Sequence, residues 1–138
     1  MQSKSTRKKY FSSLMSRYKK VNPFYTNRKW RSKAARIKRR DKYLCQEALR
    51  YGQTLEADVV HHIYPLDEYP ELGYVSWNLI ALSDKHHNSM HDRKTNKITE
   101  LGKQWQHRRR IEFSAFMADR KASDSTQLFH CAIDQYLY

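Results

Sequence analysis

Residues 57–93 constrain the fold more than any other stretch of this 138-residue chain. The β-branched segment 57–63 is typical of a short strand, and it carries two adjacent histidines. The apolar run 77–82 follows, either as a second short strand or as a tight turn against the first. Ser83 then predicts the N-cap of a helix that continues to about Arg93. These segments together predict a small α+β core.

Histidines are concentrated in this core. Five of the seven histidines lie between His61 and His91. His61 and His62 are adjacent on the predicted strand, whereas His87 and His91 are four residues apart, which on a helix places both on one face. Histidine is the commonest metal ligand and the side chain best suited to proton transfer near neutral pH. We therefore predict that His61, His87 and His91 offer neutral imidazoles to one divalent metal ion. His62 is then the predicted general base.

Asn78 lies between the two histidine groups and is predicted to fix the loop or the base by hydrogen bonds. Adjacent strand residues point to opposite faces, so His61 and His62 reach one phosphate only where the strand ends or bulges. His86 is an alternative to His87 as the ligand on the helix. The four-residue spacing from His87 to the next histidine favours His87.

The positive charge of the chain is concentrated in residues 1–40. The net charge is +13, and this segment contains 15 Lys and Arg and no Asp or Glu. Such a block binds a polyanion through counterion release, largely without sequence preference. A helix from the Asn27 cap to Arg40 is expected to pack by Trp30 and Ile37 and to turn its basic side to DNA. The residues predicted to contact DNA are Arg28, Lys29, Arg31, Arg36, Arg39, Arg40 and Arg93. A solvated tail that aids solubility is the simpler alternative.

The remaining composition excludes several classes of protein. No apolar run approaches the ~20 residues that cross a bilayer, so no membrane association is expected. The basic N-terminus lacks an apolar core and does not read as a signal peptide. Cys45 and Cys131 are far apart and form no disulfide framework, which favours a reducing, cytoplasmic setting.

Three segments are predicted from the distribution of charge and turn residues. Residues 1–21 form a basic arm, residues 22–121 form the main domain, and residues 122–138 form a C-terminal helix that packs on the domain or on a partner. Ser123 or Asp124 is predicted to cap this last helix. A separate helix is predicted from Thr99 to about Arg120.

The order of the histidines and asparagine resembles the HNH endonucleases, also called ββα-metal or His-Me finger enzymes. The matching pattern is His61-His62, then Asn78, then His87-x3-His91. Residues 24–95 as a whole look like the small HNH proteins of phages and Gram-positive bacteria. The resemblance implies a ββα-metal core with a short hairpin and flanking helices, mostly helical outside the core. It also implies the same assignment of base and metal ligands.

The resemblance further implies an activity and its partners. It implies a divalent-metal-dependent DNA endonuclease encoded by a phage or prophage, which acts in the bacterial cytoplasm beside terminase and packaging proteins. Three imidazoles suit Zn, Ni, Co or Mn, and Mg stays open although it usually prefers oxygen ligands. Two alternatives remain, a basic nucleic-acid-binding module of the same fold that no longer cuts and a docking module of a packaging complex. The oligomeric state and the DNA sequence that is cut stay open.

The chain departs from the phage-type pattern at a second metal site. Many such members hold a structural zinc with two Cys-x2-Cys pairs, which here read Cys45-Gln-Glu-Ala48 and Ser83-Asp-Lys-His86. Cys45 and His86 alone cannot form a closed tetrahedral site, so no structural zinc is expected. Apolar packing is predicted to hold this ribbon instead. The residues predicted to pack there are Leu44, Leu49, Tyr51 and Leu82.

Overall fold

The computed structural model describes the backbone of residues 21–134 and the side chains of residues 21–124. The basic arm predicted for residues 1–21, except for its last residue, lies outside the described residues. The chain divides into two compact units, Met1–Arg36 and Ile37–Tyr138. Within the described range, no helix combines the length and the apolar character that crossing a membrane requires.

The described residues form a two-stranded antiparallel sheet with helices before and after it. The helices are α1 (Pro23–Thr26), α2 (Arg28–Arg40), α3 (Gln46–Leu49), α4 (Asp84–Asn88), α5 (Glu100–Arg108) and α6 (Arg110–Asp134). The strands are β1 (Val59–His62) and β2 (Leu79–Leu82), and 3₁₀ turns occupy Pro70–Leu72 and Ser76–Asn78. The predicted α+β class is therefore confirmed.

The described part of the first unit begins with α1 and is organised by three aromatic rings. The rings of Phe24 and Tyr25 lie 5.1 and 5.5 Å from that of Trp30, between ring centroids. Asn27 ends α1 and caps α2, because its side-chain oxygen accepts a hydrogen bond from the Trp30 amide at 2.7 Å. The predicted helix from the Asn27 cap to Arg40 is confirmed.

The second unit is built around the hairpin of β1 and β2. All four residues of β2 are buried, and in β1 the two histidines are buried while the two valines are half-buried. His61 pairs with Ile80, and His62 pairs with Leu79 at the end of the ladder. For the run 77–82 either a strand or a tight turn was predicted. It contains the end of the 3₁₀ turn Ser76–Asn78, followed by β2. The buried core around the hairpin consists of Cys45, Ala48, Ile63, Tyr64, Leu72, Ile80, Leu82, Met90 and Trp105.

Helix α4 is shorter than predicted. Ser83 caps it as expected, but the helix ends at Asn88 and does not reach Arg93. Met90 is fully buried in the core, and its amide closes the helix with a bond to the His87 carbonyl at 3.1 Å. The prediction that His87 and His91 share one face of this helix is therefore wrong, although both rings lie 5.4 Å from the ring of His61.

The C-terminal helices differ from the prediction at two points. The expected helix from Thr99 to Arg120 is two helices, interrupted at Arg109. The predicted cap at Ser123 or Asp124 is wrong, because α6 passes through both residues without a break. Serine can also occur inside a helix, where its hydroxyl donates to the carbonyl four residues earlier. Ser123 does so here, with a hydrogen bond of 3.0 Å to the Asp119 carbonyl.

Helix α6 covers the loop between the strands. The ring of Phe113 stacks on Tyr64 with a centroid distance of 4.1 Å and an interplanar angle of 8°. Farther along the helix, Phe116 approaches Trp77, with 6.4 Å between ring centroids. An ion pair at 2.5 Å between Arg120 and Glu71 adds a third contact with the loop. Together these contacts fix the loop against the core.

The ribbon that was predicted to be held by packing is held in part by the expected residues, since Leu82 is fully buried in the core and Leu44 is half-buried. Leu49 and Tyr51 are exposed, at 41% and 66%, so their predicted packing role is wrong. Cys45 and Ala48 are buried in their place. The Cys45 thiol also lies 3.2 Å from His86 Nδ1, and this contact joins the segments 45–48 and 83–86. That the chain binds no structural zinc stays a prediction.

Candidate active site

His61 and His62 share the end of β1 but face different surroundings. The ring of His61 lies 5.4 Å from the rings of both His87 and His91, between centroids. The ring of His62 instead reaches the carbonyl of Gly73, at 3.0 Å from Nε2. This division follows from the alternation of side chains along a strand.

The contact with Gly73 fixes the protonation pattern of His62. A carbonyl oxygen only accepts hydrogen bonds, so His62 Nε2 carries the hydrogen and donates it. In the neutral ring Nδ1 is then the nitrogen with a lone pair. Burial is the larger influence and lowers the pKa of His62, whereas the Gly73 hydrogen bond raises it. A neutral imidazole in a fixed orientation is the form that a general base requires.

Asn78 is fully buried and holds the loop that carries Gly73. Its side-chain oxygen accepts from the Tyr64 amide at 2.8 Å, and its side-chain nitrogen donates to the Tyr64 carbonyl at 3.1 Å. The same nitrogen lies 3.3 Å from the carbonyl of Leu72, the residue before Gly73. Asn78 therefore joins the chain after His62 to the loop that orients the His62 ring.

Three imidazoles form a cluster beside the base. Burial lowers the pKa of His61 well below its usual range, and the charges of the neighbouring histidines lower it further. Burial, and then His91, lower the pKa of His87, while Asp84 raises it. The Nδ1 atom of His91 is buried and makes no hydrogen bond with any residue that the structure describes. The positions of His61 and His87 thus favour neutral rings, and the cluster contains a buried nitrogen, Nδ1 of His91, without a partner among the described residues.

His91 is positioned by a turn and not by a helix. After α4 ends, His91 forms an isolated antiparallel bridge with Ile98. The side chain of Asp92 organises the turn between them, because it accepts from the amides of Lys94 and Thr95 at 2.9 and 2.7 Å and from the Thr95 hydroxyl at 2.9 Å. These bonds lower the pKa of the exposed Asp92 carboxyl. The sequence reasoning missed Asp92, although an aspartate that is followed by a short polar segment, here Arg-Lys-Thr-Asn, is typical of such turns.

Gly102 closes the other side of this turn. A Cβ atom at Gly102 would collide with the Ile98 side chain and would lie 2.9 Å from the Met90 carbonyl oxygen. Only glycine allows α5 to approach the two ends of the turn so closely. The Thr99 hydroxyl adds a hydrogen bond to the Ser89 carbonyl at 2.7 Å.

The donor chemistry of the cluster fits a divalent metal ion, but the nitrogen atoms do not yet converge. Among the side chains of residues 21–124, no three His, Cys, Asp or Glu groups are close enough to hold a metal ion as they stand. Adjacent neutral imidazoles with an unpartnered nitrogen are the ligand set that Zn, Mn, Co or Ni accept. The alternative ligand His86 lies apart from the cluster, since its Nδ1 contacts the Cys45 thiol and the Ser83 hydroxyl.

The basic residues predicted to contact DNA are all exposed, and one of them has a structural task. Arg28, Lys29, Arg31, Arg36, Arg39 and Arg93 are exposed, as is Arg40. The Arg40 guanidinium donates to the Asp41 carboxylate at 2.7 and 2.9 Å and to the carbonyls of Ser76 and Leu79 at 2.8 and 2.7 Å. Arg40 therefore ties α2 to the start of β2. Arg93 lies on the turn that follows His91.

Comparison with known proteins gives one structural likeness. No protein-family model matches the chain, and a search of curated proteins finds no significant relative. A crystal structure of the HNH endonuclease of the deep-sea thermophilic bacteriophage GVE2, with manganese ion, is similar at 28% sequence identity. The match covers 63% of this chain and 88% of that one, with a TM-score of 0.47.

Proposed function

We propose that this chain is a divalent-metal-dependent DNA endonuclease of the HNH type. The observation that carries the proposal is the juxtaposition at the end of β1. One face offers a neutral histidine, His62, held by the Gly73 carbonyl at 3.0 Å, and the other offers a cluster of three further imidazoles. A base beside a set of metal ligands is the minimum that hydrolysis of a phosphodiester needs.

In this proposal His61, His87 and His91 hold one divalent ion. Such an ion, when bound, supplies positive charge to the phosphoryl oxygen and the departing oxygen as their negative charge grows. The burial of His61 keeps its imidazole neutral, which is the ligating form. The Nδ1 of His91 is buried without a hydrogen-bond partner among the described residues, and a bound metal ion would remove the cost of leaving this polar atom without one.

The remaining steps belong to His62 and Asn78. His62 accepts a proton from the attacking water at Nδ1, because Nε2 already carries a hydrogen that it donates to Gly73. The positive imidazolium that forms keeps this hydrogen bond. Asn78 holds both sides of the arrangement through its bonds to Tyr64 and Leu72, so the ring does not have to reorient during the reaction.

DNA is the proposed substrate because exposed cations are plentiful and are placed for phosphate contacts. Arg93 lies on the turn that follows His91 and is a proposed phosphate contact. The basic face of α2 is the proposed contact with the DNA backbone. Residues 1–20 add seven further cations, and we propose that they increase affinity without affecting the chemical step.

A second candidate is a nucleic-acid-binding module of the same fold that does not cut. The observation in its favour is that no three ligand atoms converge among the described side chains. A plasmid nicking assay across Mg, Mn, Co, Ni and Zn, each with an EDTA control, separates the two. Nicking that depends on a metal and stops with EDTA supports the endonuclease. DNA binding without nicking under any of these metals would favour the module.

A further inference from the structure

A cleft on the outer side of α5 contains none of the four histidines of the candidate active site. The cleft has a volume of about 450 Å³ and is open to solvent. Its lining combines three cations with one acidic and two neutral polar residues. The lining residues are Arg50, Glu100, Lys103, Gln104, His107 and Arg108.

One of the residues that line the cleft, Arg50, is held by a buried carboxylate. Glu47 is 2% exposed, and its Oε2 accepts from the Trp105 indole nitrogen at 2.7 Å and from the Arg50 guanidinium at 2.8 Å. A buried carboxylate is tolerated only when it is paired and hydrogen-bonded. Glu47 therefore fixes both the indole and the guanidinium in place. The result is a cation with little conformational freedom left to lose on binding.

Two guanidiniums meet at the same indole ring. Arg50 lies 5.6 Å and Arg108 lies 5.8 Å from the Trp105 ring centroid, which is within the range of cation–π attraction. Arg50 is neutralised by Glu47, and Lys103 pairs with Glu100 at 2.7 Å. Within the described side chains, Arg108 makes no ion pair. Arg108 is therefore the lining cation whose charge no described carboxylate balances, and a bound anion would stabilise it.

We propose that this cleft binds a phosphate of the DNA backbone through Arg108 and Arg50, as a second contact outside the cleaved site. A guanidinium fork matches the geometry of a phosphate. The ring of Tyr51, with its centroid 5.6 Å from the Arg50 guanidinium, is a second aromatic neighbour of this cation. This inference rests on the proposed function for the choice of DNA as the anion.

The alternative for Arg108 is a solvated cation that only complements the C-terminal end of α5. Arg110 provides the matched control, because it belongs to the same basic run but does not line the cleft. The Arg110 guanidinium donates to the His107 carbonyl at 2.8 Å. Arg108→Ala and Arg110→Ala therefore remove the same charge from neighbouring positions.

The test measures the affinity for a short labelled DNA duplex by fluorescence anisotropy at several salt concentrations, with EDTA present. Each phosphate contact contributes about −0.9 to the slope of log K against log salt. We expect Arg108→Ala to weaken binding and flatten the slope by about one contact, and Arg110→Ala to leave the slope unchanged. Thermal melting checks that both variants are folded.

Two outcomes would overturn the cleft as a phosphate site. One is a slope for Arg108→Ala equal to that of the wild type, and the other is an equal flattening in both variants. Plasmid nicking by the wild type is measured separately. Absence of nicking with every metal would count against the endonuclease and not against the cleft, because the anisotropy measurement does not depend on cleavage.

Discussion

The two sides of the histidine cluster are held in different ways. On the strand side, His62 is fixed by the Gly73 carbonyl, and Asn78 fixes the loop with three hydrogen bonds. On the helix side, His91 lies just before a turn and keeps a buried Nδ1 without a partner among the described residues. The base side is thus complete in its hydrogen bonding, whereas the ligand side has an open requirement. This difference fits a base that is preorganised and a ligand set that is completed by binding.

The largest expected effect is a loss of cleavage from a change on the strand side. His62→Ala removes the proposed base but no proposed ligand, so we expect cleavage to fall by ~10²–10⁴-fold. Metal affinity, measured by isothermal titration calorimetry, should stay unchanged. A variant that nicks plasmid DNA as fast as the wild type would contradict the assignment of the base.

Changes on the helix side should differ by reducing metal affinity as well as cleavage. We expect His87→Ala and His91→Ala to reduce metal affinity by more than the ~10–100-fold that loss of an outer-shell partner costs, and to reduce cleavage with it. His86→Ala is the matched control, because His86 contacts Cys45 and not the cluster. Calorimetry that shows equal affinity in all three variants would remove these two histidines from the ligand set.

Asn78 connects the two sides through the backbone. Asn78→Ala leaves buried groups of Tyr64 and Leu72 without partners, so we expect a loss of about 1–3 kcal/mol in the free energy of unfolding. Asn88→Ala, an exposed asparagine at the end of α4, should change it by less than about 0.5 kcal/mol. Urea denaturation measures both. Equal stability of the two variants would show that the Asn78 bonds contribute little.

The smallest effect is expected at the turn after His91. Asp92→Ala removes the acceptor for two amides and a hydroxyl, so His91 should lose its fixed position and metal affinity should fall by about tenfold. Asp92→Asn keeps a side-chain oxygen in the same place and should restore affinity, since asparagine supports the same turn. Calorimetry on both variants decides the point, and failure of the asparagine to restore affinity would argue against positioning by the turn.

The first strand and two of the helix caps could be predicted from the sequence because their signals are local. Ser83 and Asn27 cap the helices that they were expected to cap, since a cap depends on a few neighbouring amides. The end of α4 was predicted too late. The end of this helix depends on the burial of Met90 in the core and on the turn that the Asp92 side chain organises. The four-residue spacing of the histidines gives no information about either.

The site was predicted in part for a similar reason. The histidine spacing suggested that His87 lies near His61, and the structure brings their rings together, although His91 arrives there by a turn. The holder of His62 could not be predicted, because a backbone carbonyl leaves no signal in the identity of Gly73. The structural task of Arg40 was hidden as well, since it depends on carbonyls 36 and 39 residues away.

The covering of the interstrand loop by α6 bears on when the protein becomes competent during synthesis. The carbonyl that orients His62 belongs to a loop whose aromatic partners, Phe113 and Phe116, are made some 40 residues later. Chains are made from the N-terminus, so the four histidines emerge before the loop has its cover. We therefore expect the base to be oriented only after α6 has docked. A partly made chain would carry every proposed catalytic group and still lack the arrangement needed to cut the DNA of the cell that makes it.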